Sequence, residues 1–414
     1  MREVFAYPAF RKLFFSNLFS GFGQGMTMIG ISWYLVETTG SAQLLGTTMF
    51  VSALILFFVG PYIGTLIDRF SRKNMLLVEN LIGFAVLGLL ALWGFFGEYA
   101  EWMMVTIYLV TTFMYQIHYP ALSALVQESY EPRLYGSINS LMEIEGQTAS
   151  VLAGGVAGIL LQQYGLHIVL IINALTYLFA FSNLSTMAYS FTLAGEARAN
   201  QGVNWIGQLG QSWTYIREKR GFLLFGLSAM MPFIAVMATN LLKPVYVSQT
   251  LQADVSVYSL GEMSFAFGAI GAGIFVMAVV RKWGDLQAMV GNILLFAVMI
   301  IVMVSLPYGW ALIAAYLFFG WCNASTRLIR QSLYMKVVPR QMMGRVMSFF
   351  NSFGMMMRLV LIGFFTILID YTGAGVGYLI LAVLLLLAAF GVVATMRFLL
   401  ADMDQGGEVA TKER

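Results

Sequence analysis

The sequence is poor in charge and in cysteine, and each shortage excludes a class of function. Only 10% of its 414 residues are charged, against roughly 25% in a typical soluble protein. Cys322 is the single cysteine, so neither an intramolecular disulfide framework nor a cysteine-based metal site is expected. The net charge of +3 does not indicate nucleic-acid binding. We therefore expect no metal and no nucleic-acid partner.

Signatures of catalysis are also missing. The chain has two histidines, His118 and His167, and neither an HExxH zinc motif nor a GxSxG nucleophile motif. A Walker A sequence is absent, so the chain is not expected to hydrolyse ATP. The sequence thus predicts a protein that is not an enzyme and that has no cofactor.

Hydrophobic residues are abundant instead, at 59% of the chain with a mean hydropathy of +0.79. A membrane-spanning helix needs about 20 mainly apolar residues. The pattern predicts an all-α polytopic membrane protein with twelve transmembrane helices. The predicted spans are 13–35, 43–67, 74–96, 102–125, 135–162, 166–189, 221–247, 256–280, 286–306, 308–330, 343–369 and 374–400.

Basic residues give these spans an orientation. Of the 23 lysines and arginines, all except Lys243 and Arg358 fall in segments that lie on one side of the membrane if the N-terminus is inside. Because cationic loops stay in the cytoplasm, both termini are predicted to be cytoplasmic.

A repeat divides the chain into two halves of equal orientation. The segment that begins Pro132-Arg133 and reaches Gly136 recurs as Pro339-Arg340 reaching Gly344, close to half the chain length away. We therefore expect a six-helix bundle at 1–189, a cytoplasmic linker with an amphipathic helix at 190–220, a second six-helix bundle at 221–400 and a cytoplasmic tail at 401–414.

The run from Gly60 to Lys73 reads G-x-x-x-G-x-x-x-D-R-x-x-R-K at the end of an apolar segment. It resembles the signature loop between the second and third helices of major facilitator superfamily transporters. The resemblance implies two parallel six-helix halves with the substrate site between them. It also implies a conformational latch on the inner face, in which Asp68 meets the start of the eleventh helix. The residues of this latch are Gly60, Gly64, Asp68, Arg69, Arg72, Gly344 and Arg345.

Two further motifs narrow the resemblance. Thr38-Thr39-Gly40-Ser41-Ala42, with Val337-Val338-Pro339 before Gly344-Arg345-Val346, resembles the branch that includes macrolide-efflux proteins and the enterobactin exporter. That branch implies a secondary active transporter in a bacterial inner membrane, which exports amphiphilic drugs or siderophores in exchange for protons. We expect it to be a monomer. A lipid or lysophospholipid flippase of the same fold is the alternative.

Glycines in the fifth span form a helix-packing motif similar to that of proton-coupled exporters, although the usual proline is missing. Its members are Gly146, Gly154, Gly155 and Gly158. Such small residues let helices approach closely.

Ionisable residues within spans are costly and are candidates for function. Glu143 and Glu145 are two positions apart on the fifth span, so they point in different directions and cannot both face a cavity. We expect Glu143 to be packed against another helix. Arg358 in the eleventh span is the expected ion-pair partner of one of these glutamates. Glu79 is expected to join the basic cluster of the neighbouring loop.

Two polar candidates complete the set for proton coupling or substrate contact. His118 lies in an aromatic and polar stretch of the fourth span, and an imidazole titrates near neutral pH. Gln24 stands in the middle of the first span, close to the position where members of this branch often have an aspartate.

Overall fold

The computed structural model describes the backbone of residues 2–189, 213–338 and 340–412. It describes the side chains in these ranges except those of residues 2, 61, 64–69, 132, 340–341, 344–345 and 399–412. The linker expected at 190–220 therefore lies mostly outside the described residues, and residues 213–218 are helical.

The described residues form α-helices and no strand, which confirms the all-α fold class. The helices are α1 (Arg2–Ala6), α2 (Pro8–Thr39), α3 (Ala42–Arg69), α4 (Arg72–Trp93), α5 (Glu101–Ser129), α6 (Tyr135–Tyr164), α7 (Leu166–Ser185), α8 (Phe222–Val245), α9 (Val255–Trp283), α10 (Asp285–Ser305), α11 (Gly309–Val337) and α12 (Arg340–Lys412). A π-helical turn, Tyr246–Thr250, continues α8.

Local chemistry explains several helix ends. Ser71 precedes α4 and its hydroxyl accepts a hydrogen bond from the backbone N–H of Asn74, as a helix N-cap does. Gly165 alone connects α6 to α7, with φ 78°, a conformation that glycine adopts without the steric cost of a Cβ. Gly373, with φ 77° and ψ 161°, interrupts α12.

Nine helical segments of the described residues are long and apolar enough to cross a membrane. One of them, Val346–Phe398, is 53 residues long and contains the break at Gly373. The helices α2 and α5, of 32 and 29 residues, are long enough but are outside this set because they have more polar side chains. The difference from twelve predicted spans thus lies in these two helices and in the division of α12.

The described residues cluster into two compact units. The first unit comprises those in Met1–Gly202 and Val247–Ala266, and the second comprises those in Val203–Tyr246 and Phe267–Arg414. Within the first unit, α2 packs against α6 and α7, and α4 packs against α5 and α7. Within the second unit, α12 packs against α8 and α10, and α10 packs against α11.

Candidate functional site

A cavity of about 180 Å³ with both polar and apolar walls lies within the first unit, between α2, α5 and α6. Its walls combine the polar side chains of α2 and α5, which lower the hydropathy of those helices, with small residues of α6. The lining residues are Asn17, Ser20, Gly21, Gln24, Gly25, Met28, Tyr115, His118, Tyr119, Leu122, Met142, Glu145, Gly146, Ala149 and Ser150. Three of the sequence-predicted candidates, Gln24, His118 and Glu145, are therefore brought together here.

Glu145 is the acid of this cavity. The residue is 6% exposed, and it stands on the side of α6 that faces α2 and α5. The amide of Asn17, itself 3% exposed, lies close to the carboxylate without meeting hydrogen-bond geometry. In the described structure, both amide atoms of Asn17 lack a hydrogen-bond partner. A buried amide without hydrogen bonds lowers the stability of the fold, unless a ligand, a protonated group or a water molecule bonds to it.

His118 contacts Glu79 of α4, which does not itself line the cavity. Its Nδ1 lies 3.2 Å from Oε1 and 3.3 Å from Oε2 of Glu79, and the Glu79 side chain is 2% exposed. The expectation that Glu79 joins the basic loop cluster is therefore wrong, because α4 turns this side chain inward towards α5. Sequence reasoning missed the pair, since its members are 39 positions apart on different helices.

The side chains of Gln24 and Ser20 on α2 each donate a hydrogen bond to a backbone oxygen of the first unit. Nε2 of Gln24 donates to the backbone oxygen of Thr111 at 3.0 Å, and the hydroxyl of Ser20 donates to the backbone oxygen of Asn17 at 3.3 Å. On α5, Pro120 stands inside the helix next to Tyr119 and has no backbone N–H to donate. The two hydrogen bonds hold the side chains of Gln24 and Ser20 in place in the cavity wall.

Glu143 has a different environment from Glu145. It is exposed, and its Oε1 accepts a hydrogen bond of 3.1 Å from Nε2 of Gln147, one helical turn later. The packing that we expected for Glu143 is thus not found, because the rotation between positions 143 and 145 brings the second glutamate inward. Of the described residues that line the cavity, Glu145 is the one carboxylate.

The glycines of α6 lie against the first turns of α9, which belong to the same unit. A Cβ at Gly154 would stand 2.5 Å from the backbone nitrogen of Met263, and one at Gly158 would stand 2.1 Å from the hydroxyl of Ser259. A Cβ at Gly155 would meet the flexible Met263 sulfur at 3.3 Å. Gly146 instead lines the cavity, where a Cβ would lie 3.8 Å from the Tyr119 hydroxyl.

Only part of the expected latch lies among the described residues. The surroundings of Gly64 and Gly344 and the side chains of Asp68, Arg69 and Arg345 lie outside them. Gly60 is described, and a Cβ there would meet nothing within 4 Å.

Arg72 of the latch lies inside the first unit. Its Nε is 3.8 Å from Oε2 of Glu128 near the end of α5, with side chains 6% and 1% exposed. The hydroxyl of Tyr189 hydrogen-bonds to the same carboxylate. Burial, together with this bond to Glu128, raises the pKa of Tyr189, so the phenol stays protonated and donates. Sequence reasoning did not identify Glu128, which has no motif around it.

Arg358 is half-buried on α12 in the second unit. Among the described residues, its Nε has no hydrogen-bond partner. This half-buried side chain carries a positive charge, and its buried Nε–H is a donor without a partner among the described residues.

Comparisons with known proteins agree with the helical architecture. The family model of the Major Facilitator Superfamily matches residues 13–361. Macrolide efflux protein A of Streptococcus pyogenes is 25% identical over 276 residues, which cover 64% of this chain and 66% of that protein. Macrolide efflux protein A of Enterococcus faecalis is 22% identical over 324 residues, which cover 74% of this chain and 97% of that protein. A crystal structure of a point mutant of the nucleoside transporter NupG superposes with a TM-score of 0.72 at 16% identity, over 94% of this chain and 99% of that one.

Proposed function

Because the chain belongs to the major facilitator superfamily, we propose that it is a secondary active transporter that exports amphiphilic small molecules from the cytoplasm in exchange for protons. It is a multi-pass membrane transporter. The macrolide-efflux relatives support export as the direction and drug-type molecules as the substrates. We keep siderophore-type molecules in the proposal because of the sequence resemblance alone. Proton exchange rests on the chemistry of the first-unit cavity.

The observation that supports proton coupling is the burial of Glu145 in a polar cavity. An acid at this depth in a membrane protein is costly when ionised and is retained mainly where it has a role. It can hold a proton when access is from one side and release it when access is from the other. His118 lines the same cavity and is the neighbouring titratable group with which such a proton can be shared, while Gln24 adds a polar wall beside it.

In this proposal, the two halves expected from the repeat open the site alternately to the two sides of the membrane. We propose a monomer in the bacterial cytoplasmic membrane, with bundles at 1–189 and 221–400 and with both termini in the cytoplasm. In one phase of the cycle, Arg358 would pair with Glu145 or Glu143 and favour the deprotonated acid. Asp68 would meet the start of the helix at Gly344-Arg345 when the inner side closes, since a carboxylate is stabilised at a helix N-terminus.

The test is accumulation of a macrolide, erythromycin, in bacterial cells that lack their own exporters. Cells that express the chain should hold several-fold less drug, and a protonophore should remove the difference. Glu145→Gln should also remove it, whereas Glu101→Gln, an exposed carboxylate at the start of α5, should export normally. Equal accumulation with and without the chain for macrolides and for a panel of siderophores would reject export. Flipping of lysophospholipid without drug export would support the flippase instead.

A further inference from the structure

We propose that the second unit binds the phosphate group of an amphiphile, with Arg330 of α11 as the residue that anchors it. The inference goes beyond the proposed export function and does not depend on it. It gives the second unit a binding site of its own, for a ligand whose charge is negative.

Arg330 is held by one of its donors and has the others left for a ligand. Its Nη1 donates a hydrogen bond of 3.0 Å to the backbone oxygen of Ala229 on α8, and the side chain is half-buried. A guanidinium has five N–H donors in one plane, so most of them remain after this bond. Such a planar fork matches two oxygens of a phosphate group. The backbone of α8 thus fixes Arg330 in position to receive an anion.

The helices around Arg330 supply no negative charge. The sequences of α8 and α11 contain neither aspartate nor glutamate, and α12 has none before Asp370. In the described part of the chain, Arg330 meets a neutral carbonyl rather than a carboxylate. About 10 Å of helix separates it from Val337, the last residue of α11, so its charge lies inside a candidate membrane span. An unpaired charge there is costly, and an anionic ligand would supply the missing counter-charge.

A second cation, Arg358 of α12, lies close to the same level of α8. A Cβ at Gly354 would stand 2.6 Å from Cε of Met230, the residue after Ala229, and Arg358 follows Gly354 by about one helical turn. Two arginines favour a phosphate monoester, whose charge is about −1.5 to −2 at pH 7, over a carboxylate with a single charge. Arg330 remains the anchor, because Arg358 is also proposed to pair with a glutamate in one phase of transport.

Tyr334 adds a hydroxyl one helical turn after Arg330. The residue is 2% exposed, and its hydroxyl has no hydrogen-bond partner in the described structure. It lies near enough to Arg330 for an electrostatic interaction. A buried hydroxyl without a partner lowers stability, and a phosphate oxygen beside Arg330 would give this one an acceptor.

The apolar surroundings favour an amphiphile over a free phosphate ion. The ring of Tyr334 packs with Phe222, Phe225 and Phe350, at centroid distances of 5.8, 6.3 and 5.5 Å. A free ion would have to leave water for this environment, which is costly. An amphiphile has its hydrocarbon chain in the bilayer already, and its phosphate therefore reaches Arg330 from the membrane.

The experiment compares two probes on the full-length protein in dodecyl maltoside, a detergent without phosphate, at pH 7.5. The probes are lysophosphatidic acid and a neutral monoacylglycerol, each with dansyl at the end of the same acyl chain. Energy transfer from tryptophan to dansyl reports binding, after subtraction of the signal that excess unlabelled lysophosphatidic acid does not displace. The phosphate probe should bind about tenfold or more tightly, because the neutral probe lacks the charge-assisted hydrogen bonds to Arg330.

Variants place the preference at Arg330. Arg330→Gln should remove it, and Arg330→Lys should keep part of it, because an ammonium group keeps the charge but not the planar fork. Arg281→Gln is the matched control, since it removes an exposed cation at the end of α9 in the same unit and should bind both probes as the unmodified protein does. The comparison of probes on the unmodified protein needs no variant, so it decides the matter even if Arg330→Gln fails to fold.

Two competitors identify the source of the phosphate group. Diacyl phosphatidic acid should displace the phosphate probe if the site takes a bilayer lipid and should leave it bound if the site takes a single-chain amphiphile. Either result supports the site and assigns its ligand. Displacement by inorganic phosphate at the same concentration as unlabelled lysophosphatidic acid would instead overturn the proposal of an amphiphile.

Equal binding of the two dansyl probes, or binding of neither, would overturn the proposal. An equal loss of preference in Arg281→Gln and Arg330→Gln would overturn it as well, because the attraction would then be to positive charge in general. Export of erythromycin is measured separately in cells. A chain that exports the drug but does not prefer the phosphate probe would refute this site and leave the proposed function standing.

Discussion

Nδ1 of His118 lies 3.2 Å and 3.3 Å from the two carboxylate oxygens of Glu79, inside the first unit. The pair joins α4 to α5, and Glu79 lies behind His118, outside the cavity lining. A carboxylate that holds one imidazole nitrogen fixes the orientation of the ring and leaves the other nitrogen for a ligand or a proton. Glu79 is therefore a positioning residue for His118, although it does not line the cavity itself.

Replacing Glu79 by Gln should destabilise the protein by about 1.5–3 kcal/mol, because a buried hydrogen bond to a charged group is weakened. Thermal unfolding of the purified protein measures the change. The double variant Glu79→Gln with His118→Gln should lose less than the sum of the two single changes. Losses that add to within about 0.5 kcal/mol would contradict coupling between the two side chains.

How well the sequence predicts this region depends on whether the signal is local. The polar side chains near Gln24 and His118 are visible along α2 and α5, and the structure brings them into one cavity. Glu79 was assigned to the wrong partner because it follows Arg72 by two helical turns, whereas its contact with His118 depends on how α4 packs against α5. Glu128 was missed for the same reason, since a tertiary contact between distant positions leaves no local pattern.

The glutamate pair of α6 illustrates the limit of helical periodicity. The spacing of two predicts that Glu143 and Glu145 point apart, and the structure does separate them, one exposed and one in the cavity. Periodicity alone does not determine which side of α6 meets α2, because that depends on the packing of both helices. For this reason, the prediction that Glu143 packs against another helix was wrong.

Replacing Glu128 by Gln should destabilise the first unit by about 3 kcal/mol, because the buried guanidinium of Arg72 loses the charge of its 3.8 Å neighbour. The fraction of protein that still elutes as folded protein after heating is a suitable measurement. Tyr189→Phe is the matched control, since it removes the hydroxyl bonded to Glu128 and keeps the carboxylate. A larger loss for Tyr189→Phe than for Glu128→Gln would reverse the order that the structure implies.

Replacing Asp68 by Asn should reduce the transport rate by about two- to fivefold while the protein is still inserted and folded. The reason is the proposed latch, in which the carboxylate stabilises the inner closed state at a helix N-terminus by about 0.3–1 kcal/mol or more when partly buried. Drug efflux normalised to the amount of protein in the membrane measures the effect. Normal efflux in this variant would remove Asp68 from the latch.

Replacing Gly154 by Ala should destabilise the first unit by about 1–3 kcal/mol, the usual cost of inserting a methyl group where there is no room. The new Cβ would stand 2.5 Å from the backbone nitrogen of Met263 and 2.9 Å from its Cα, and backbone atoms yield less readily than the end of a side chain. Gly136→Ala on the same helix is the control, because a Cβ there meets nothing within 4 Å and alanine favours helix. Thermal unfolding should therefore separate the two variants, with Gly136→Ala equal to the unmodified protein or slightly more stable. Equal unfolding temperatures for both variants would mean that α6 and the first turns of α9 are less closely packed than the structure indicates.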